Sequence, residues 1–380
     1  QGKYYRQEID TPDAIRDIDR PYFRYGISID AFLHDLAEVP RPDVVLVTSL
    51  MTYWYPGAFR AISIVKEVFP GVPVILGGIY ATLCTDHALR CSGADHVISG
   101  EGDLKVLNLL EKLWGCDAAF VPDMDDLDSL PYPLFNLVEP LRYVCIQTSR
   151  GCPFRCSYCA SHILCPKIAR RDPYLVADEI GRWVERCGIR DYAVYDDAFL
   201  YQSEKTALPL MREIAARGYT VRFHCPNALH ARFIERETAS AMKECGFSTL
   251  RLGLETSDRT RQKATGAKID NNEFLRAIES LAGAGFDTAA IGAYILCGLP
   301  GQRAEEVFET VAFAHRAGVR PVITEYSPLP GTHDWEDACR QSRYPLADDP
   351  LYHNNTLLPC AWEGLTLAMY RDIRRLAKEG

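Results

Sequence analysis

Three cysteines crowd one stretch of the chain. Cys152, Cys156 and Cys159 stand in a CxxxCxxC spacing within residues 150–161, RGCPFRCSYCAS, beside Gly151 and Pro153. Thiolates bind iron–sulfur clusters, and a cubane [4Fe–4S] cluster has four irons to ligate. Three thiolates leave one iron open to a small molecule, which the fully ligated cluster of an electron carrier does not offer. Two plainer readings compete: cysteines spaced by chance, and a zinc site lacking its fourth ligand.

Such a loop needs elements to hold it. RYVCIQTS, ending at Ser149, reads as the strand that delivers it. Downstream, a helix ending in glycine and then an apolar strand recur at Gly188, Gly218, Gly246, Gly285 and Gly318. The intervals are 30, 28, 39 and 33 residues, about one β/α unit each. Asp172-Pro173 opens the first helix as N-cap and first helical residue. Six strands in all predict a partial (β/α)6 barrel, whose chemistry gathers at the strands' carboxyl ends. Those ends hold Asp196 and Asp197 in YAVYDDAF, Glu255 in LRLGLET, Gly298, Pro300 and Gly301 in ILCGLPGQ, and Pro328, Pro330 and Gly331 in EYSPLPGT.

The cysteine spacing, with aromatic Tyr158 just before the last cysteine, resembles the signature of the radical S-adenosylmethionine (radical SAM) superfamily. The resemblance implies a [4Fe–4S] cluster on Cys152, Cys156 and Cys159. It also implies S-adenosylmethionine (SAM), cleaved there reductively to a 5′-deoxyadenosyl radical that takes hydrogen from an unactivated carbon. The SAM contacts it implies are Tyr158, Asp196, Asp197, Glu255 and Gly298, with Arg251 on the methionine carboxylate. Four strand-end residues have a structural alternative: Asp197 as an N-cap, Glu255 capping a turn, Gly298 and Gly301 as turn glycines. No catalytic residue is assigned. Cys297 is a weak candidate as hydrogen-atom donor, against its reading as a buried structural thiol. No second CxxC is present for an auxiliary cluster.

Ahead of this region, DVVLVTSL and VPVILGG read as buried parallel strands, and ADHVISGEGD adds a third short one. Helical spacing separates the first two and follows the third, so a doubly wound parallel sheet is expected. Its ligand rim, at the strands' carboxyl ends, carries Ser49, Thr52, Gly77, Gly78, Gly100 and Gly102. The whole run resembles the cobalamin-binding domain that precedes many radical SAM domains, which implies cobalamin at that rim. The usual first strand is not recognisable before Asp43, so an incomplete or cut copy is expected. The DxHxxG motif is absent, since Asp86 and His87 are adjacent, and members of the subclass commonly lack it. The alternative is a sheet kept as a scaffold.

The expected organisation is an N-terminal arm (1–39), the cobalamin-binding-like domain (40–116), a Pro- and Asp-rich linker (117–142), the barrel (143–331) and a C-terminal helical tail (332–380). A net charge of −9 without a basic run argues against a nucleic-acid groove. No apolar run approaches the roughly 20 residues that span a membrane. The 14 scattered cysteines suit a reducing, anaerobic cytoplasm rather than a disulfide scaffold. The chain starts at Gln1 without an initiator Met, which leaves room for residues upstream. The leading function is a cobalamin-dependent radical SAM methyltransferase, reduced by a donor such as flavodoxin or ferredoxin, on a substrate the sequence does not name. The alternatives are a cobalamin-independent radical SAM oxidoreductase, cyclase or rearrangement enzyme, and a non-catalytic cobalamin- or cluster-binding module.

Overall fold

The apolar runs become parallel strands, and the glycine-ended periodic segments between them become helices. The computed structural model describes residues 4–115, 117–361 and 365–379. The chain divides into two units: Gln1–Ala119 with Ser327–Pro359, and Phe120–Tyr326 with Cys360–Gly380.

In the first unit β1 (Arg6–Ile9) and β2 (Tyr22–Tyr25) pair as an antiparallel hairpin. Then β3 (Val45–Thr48), β4 (Val74–Gly77) and β5 (His96–Val97) form a parallel sheet in the order β3-β4-β5. The central β4 is buried. β3, expected to be buried on both faces, is an edge strand with Leu46 57% exposed, because among the described residues no strand stands outside it to bring a second covering layer. The helix Tyr55–Val68 packs Ile62 and Val65 with Val74, Leu76 and Tyr80.

Two sequence-based boundaries shift here. The segment expected as a separate arm puts Ile15 into this core, with Ile18, Tyr22, Phe32 and Leu36 against it. The segment expected as one tail is split. Residues 332–359 join the first unit, where Leu351 enters the core and the Tyr55 hydroxyl donates to Asp349 at 3.0 Å. The helix Leu367–Leu376 belongs to the second unit, where Ile373 is in the core.

The second unit opens with β6 (Val144–Ile146), then β7 (Ser149–Arg150) and β8 (Ala169–Arg170), an antiparallel two-residue ladder that closes the cysteine loop. There follow β9 (Asp191–Val194), β10 (Arg222–His224), β11 (Phe247–Thr249), β12 (Arg251–Glu255), β13 (Gly292–Cys297) and β14 (Arg320–Glu325). β11 and β12 are one strand broken at Leu250. Leu229 bridges β10's side to β12 through the backbone: its N–H donates to Arg251 O at 2.7 Å, and Gly253 N–H donates to Leu229 O at 3.1 Å. The six-stranded parallel arc therefore runs β6, β9, β10, β11/β12, β13, β14, the expected partial barrel. All five helix-ending glycines take positive φ, between 65° and 98°. Leu252, Leu254, Ala293, Ile295 and Cys297 join the helix-facing core. Side chains alternate along a strand, so Gly253, Tyr294 and Leu296 face the barrel interior.

Candidate active site

Gly151 begins the cysteine loop at φ +83°, and a Cβ there would lie 2.4 Å from Lys167 O. Only glycine lets the two ends of the loop cross so closely. Cys159 N–H bonds Cys156 O at 3.0 Å, and Ser161 N–H donates to Cys159 Sγ at 3.4 Å. Phe154 fixes the loop from outside its sulfurs, stacking on His230 with ring centres 4.5 Å apart and meeting Phe233 and Tyr201.

Tyr158 hydrogen-bonds the Cys156 sulfur, and Glu255 lies close enough to both to shift their titration. Glu255 sits at a register shift of β12 with φ +64°, a conformation uncommon for a residue with a side chain. The bulge folds its carboxylate back over Gly253, where it meets Lys268 Nζ at 3.1 Å with both side chains about 14% exposed or less. Lys268 is buried, yet Glu255 and the cysteines hold its pKa above the usual lysine value. Sequence reading missed this lysine. Its one signal is a cation just after the Thr265-Gly266 turn.

The two adjacent aspartates have different roles. Asp197 is exposed, hydrogen-bonds Ser161 and acts electrostatically on Cys152. Asp196 is 3% exposed and accepts from Thr148 N–H, Thr148 Oγ1 and Ser149 Oγ at 2.7–3.1 Å. Its carboxylate is spent on the strand that feeds the cysteine loop, so it positions that loop instead of facing a ligand.

Three further candidates take the places of their structural alternatives or lie away from Glu255. Arg251 starts β12, at the opposite end from Glu255, and its guanidinium bonds Leu250 O at 2.8 Å. Gly298 makes a turn in which its N–H is taken by the buried Gln302 side chain at 2.8 Å. Cys297 is 0% exposed in the helix-facing core, with burial pushing its thiol up to about 12. Strand alternation aims it away from the barrel interior, so it does not serve as hydrogen donor there.

The cysteines suit a metal cluster. Burial pushes Cys152 up to about 11 and raises Cys156. Such thiols keep their protons at neutral pH unless a cation replaces them, as iron does. Among the described residues no three His, Cys, Asp or Glu groups converge on a single ion; a cubane gives each thiolate its own iron.

At the rim of the first unit it is glycine backbone that is exposed rather than hydroxyls. Gly77, Gly100 and Gly102 are partly exposed. Ser49 and Thr52 are 5% and 1% exposed, and Thr52 Oγ1 is bound to His353 Nδ1 at 3.0 Å. Gly78, at φ +94°, has no spare room: a Cβ would lie 2.5 Å from Thr48 Oγ1. The two hydroxyls and Gly78 therefore shape the rim from within.

A thiolate loop at the mouth of a partial parallel barrel, joined in one chain to a three-stranded parallel sheet, defines a two-domain cluster enzyme of α/β class. The radical SAM superfamily model matches residues 146–314, and the B12 binding domain model matches residues 17–110, starting inside the expected arm. The chain carries a radical SAM domain and, ahead of it, a B12-binding domain. It is 26% identical over 372 residues to an "uncharacterized methyltransferase" of Pyrococcus horikoshii, covering 90% of this chain and 77% of that protein. It is 25% identical over 328 residues to the anaerobic magnesium-protoporphyrin IX monomethyl ester cyclase of Rubrivivax gelatinosus, covering 76% and 58% respectively. The fold is like that of TsrM, a radical SAM methyltransferase from Kitasatospora setae, with a TM-score of 0.66 and 18% identity over 82% of this chain and 68% of that one.

Proposed function

We propose that the chain is a cobalamin-dependent radical SAM methyltransferase acting on an unactivated carbon. The observation that carries the reading is a three-thiolate loop and a B12-binding sheet in one chain, the first with one iron left for a ligand. The methyltransferase relative that spans 90% of the chain supports it. When bound, the cluster with SAM supplies reductive cleavage to a 5′-deoxyadenosyl radical, and cobalamin supplies a methyl carrier.

The chain's own residues bind and orient. Cys152, Cys156 and Cys159 hold iron. Glu255 accepts from the ammonium of the methionine moiety, and Lys268 receives its carboxylate, exchanging their mutual ion pair for the two charges of the ligand. Tyr158 and Asp197 flank them with hydroxyl and carboxylate groups. Thr148, Ser149 and Asp196 keep the loop in place. The electron comes from a low-potential carrier such as flavodoxin or ferredoxin. The 13 free thiols among the described residues support a reducing cytoplasmic setting. Among those residues no helix is long and apolar enough to cross a membrane.

The cyclase relative favours a second reading, radical ring closure without methyl transfer. The deciding test is anaerobic reconstitution with iron, sulfide and hydroxocobalamin, then removal of unbound corrin. About four irons with about one cobalt per chain are expected. Full iron with cobalt near zero overturns the methyltransferase and leaves the cyclase. Gly102→Trp should lower the cobalt, because Gly102 has an ordinary φ of −89° and only Val106 Cγ2 at 4.0 Å. Gly78 is unsuited to this test, as any side chain there strains the sheet.

A further inference from the structure

Residues 259–268 carry four cations, Arg259, Arg261, Lys263 and Lys268, and no carboxylate, in a chain of net charge −9. Lys268 is turned inward to Glu255, and Arg261 is tied to Glu306 at 2.6 Å. Arg259 and Lys263 lie one turn apart on the helix Arg259–Ala264, and both are exposed. Spacing of four residues puts them on the same helix face. Neither has a carboxylate partner among the described residues, and the same holds for exposed Arg155 of the cysteine loop.

The turn that ends this helix packs directly on the cysteine loop. Ser157 N–H bonds Thr265 O at 3.3 Å. Gly266, at φ +106°, lies so close that a Cβ would be 3.2 Å from Arg155 O and 3.2 Å from Cys156 Cα. The basic face is therefore next to the backbone of a cluster ligand, on a surface that also displays Arg155.

We propose that Arg155, Arg259 and Lys263 form the docking face for an acidic one-electron carrier protein, which delivers its electron past the Cys156–Gly266 contact. This rests on the cluster assignment above. One electron leaves the carrier, the [4Fe–4S]2+ cluster becomes [4Fe–4S]1+, and no bond or proton changes at that step. Exposed cations of one sign steer an acidic partner and make its association depend on salt. The acidic partner is favoured over a nucleic acid because the cationic face is a few residues wide in a strongly negative chain.

The test compares the reconstituted wild-type chain with the triple variant Arg155→Glu, Arg259→Glu, Lys263→Glu. Binding of an acidic flavodoxin is measured by anisotropy from 20 to 300 mM salt, with iron content checked in parallel. The expected result is wild-type affinity that falls with salt and a loss of more than tenfold in the variant at low salt. SAM cleavage driven by reduced flavodoxin should fall likewise, while cleavage driven by dithionite, which needs no docking face, is unchanged. Equal binding by both chains overturns the proposal, as does a DNA duplex binding this face in preference to flavodoxin. If wild-type chain with full iron fails to cleave SAM even with dithionite, the cluster assignment fails and not the docking face alone. Should the triple variant lose iron, Lys263→Glu, which alters only an exposed helix position, must still reduce flavodoxin binding.

Discussion

Glu255 holds an uncommon backbone conformation, at φ +64°, to bring a carboxylate beside the cysteine loop. Holding a residue there costs of order 1–3 kcal/mol, and the return is a buried acid–base pair with Lys268. Glu255→Gln keeps the shape and removes the charge. SAM binding in anaerobic equilibrium dialysis should weaken by about 1.5–3 kcal/mol, the worth of a charge-assisted hydrogen bond, with iron content unchanged. Unaltered affinity would make Glu255 a turn residue. A strand-end acid was legible in the sequence, but its partner was not, because Lys268 comes from a loop after the next helix. Asp196 and Asp197 look alike in a sequence; the loop after β9 sends one to the Thr148 and Ser149 hydroxyls and the other to Ser161 at the end of the cysteine loop. Cys297, weighed in the sequence mainly as a structural thiol, is indeed buried in the core; which way it faces follows from register and not from its type.

At the scale of elements, the cysteine loop and the six strands were readable, because glycine-ended helices and apolar runs are local signals. The edge position of β3 was not, since the number of strands outside it is a tertiary fact. Least visible was the polar-turn segment 327–359, whose short 3-10 turn Pro350–His353 caps the rim of the first unit. His353 is 2% exposed, hydrogen-bonded to Thr52 Oγ1 and Leu346 O, and burial holds its pKa down at about 4 despite the pull of Asp349. Above about pH 6.5, the value of a free imidazole, both folded and unfolded states carry neutral His353 and its contribution is whole. As pH falls from 6.5 towards 4 the unfolded chain takes up a proton that the folded chain refuses. Stability should then drop by up to roughly 3 kcal/mol. His87, also held low by burial, acts in the same direction. Hydrogen exchange at the β4 amides, followed from pH 7 to 4.5 with correction for intrinsic rates, should show this loss. His353→Gln should reduce the slope; an unchanged slope would assign the effect to other groups.

For the whole molecule, the first unit is discontinuous in sequence, with residues 120–326 between its two parts. Homology models of the two domains do not reveal this, because the B12-binding match ends at residue 110. The fragment 1–119 lacks Asp349, Leu351 and His353, so its Tyr55 and Thr52 lose their buried partners. Expressed alone, it should show lower thermal stability and more dye-binding apolar surface than the same fragment with 327–359 supplied as a linked segment. Equal melting of the two would show that 1–119 is self-sufficient.

The same break sets an order of events during synthesis. The sheet's first 119 residues leave the ribosome well before their closing segment, which is complete about 240 residues later; at ordinary elongation rates of roughly 5–20 residues per second that is a wait of about 12–48 seconds. Throughout that interval Thr52 and Tyr55 stand without His353 and Asp349. The barrel's strands are all made within the same window, ahead of the segment that closes the sheet begun before them.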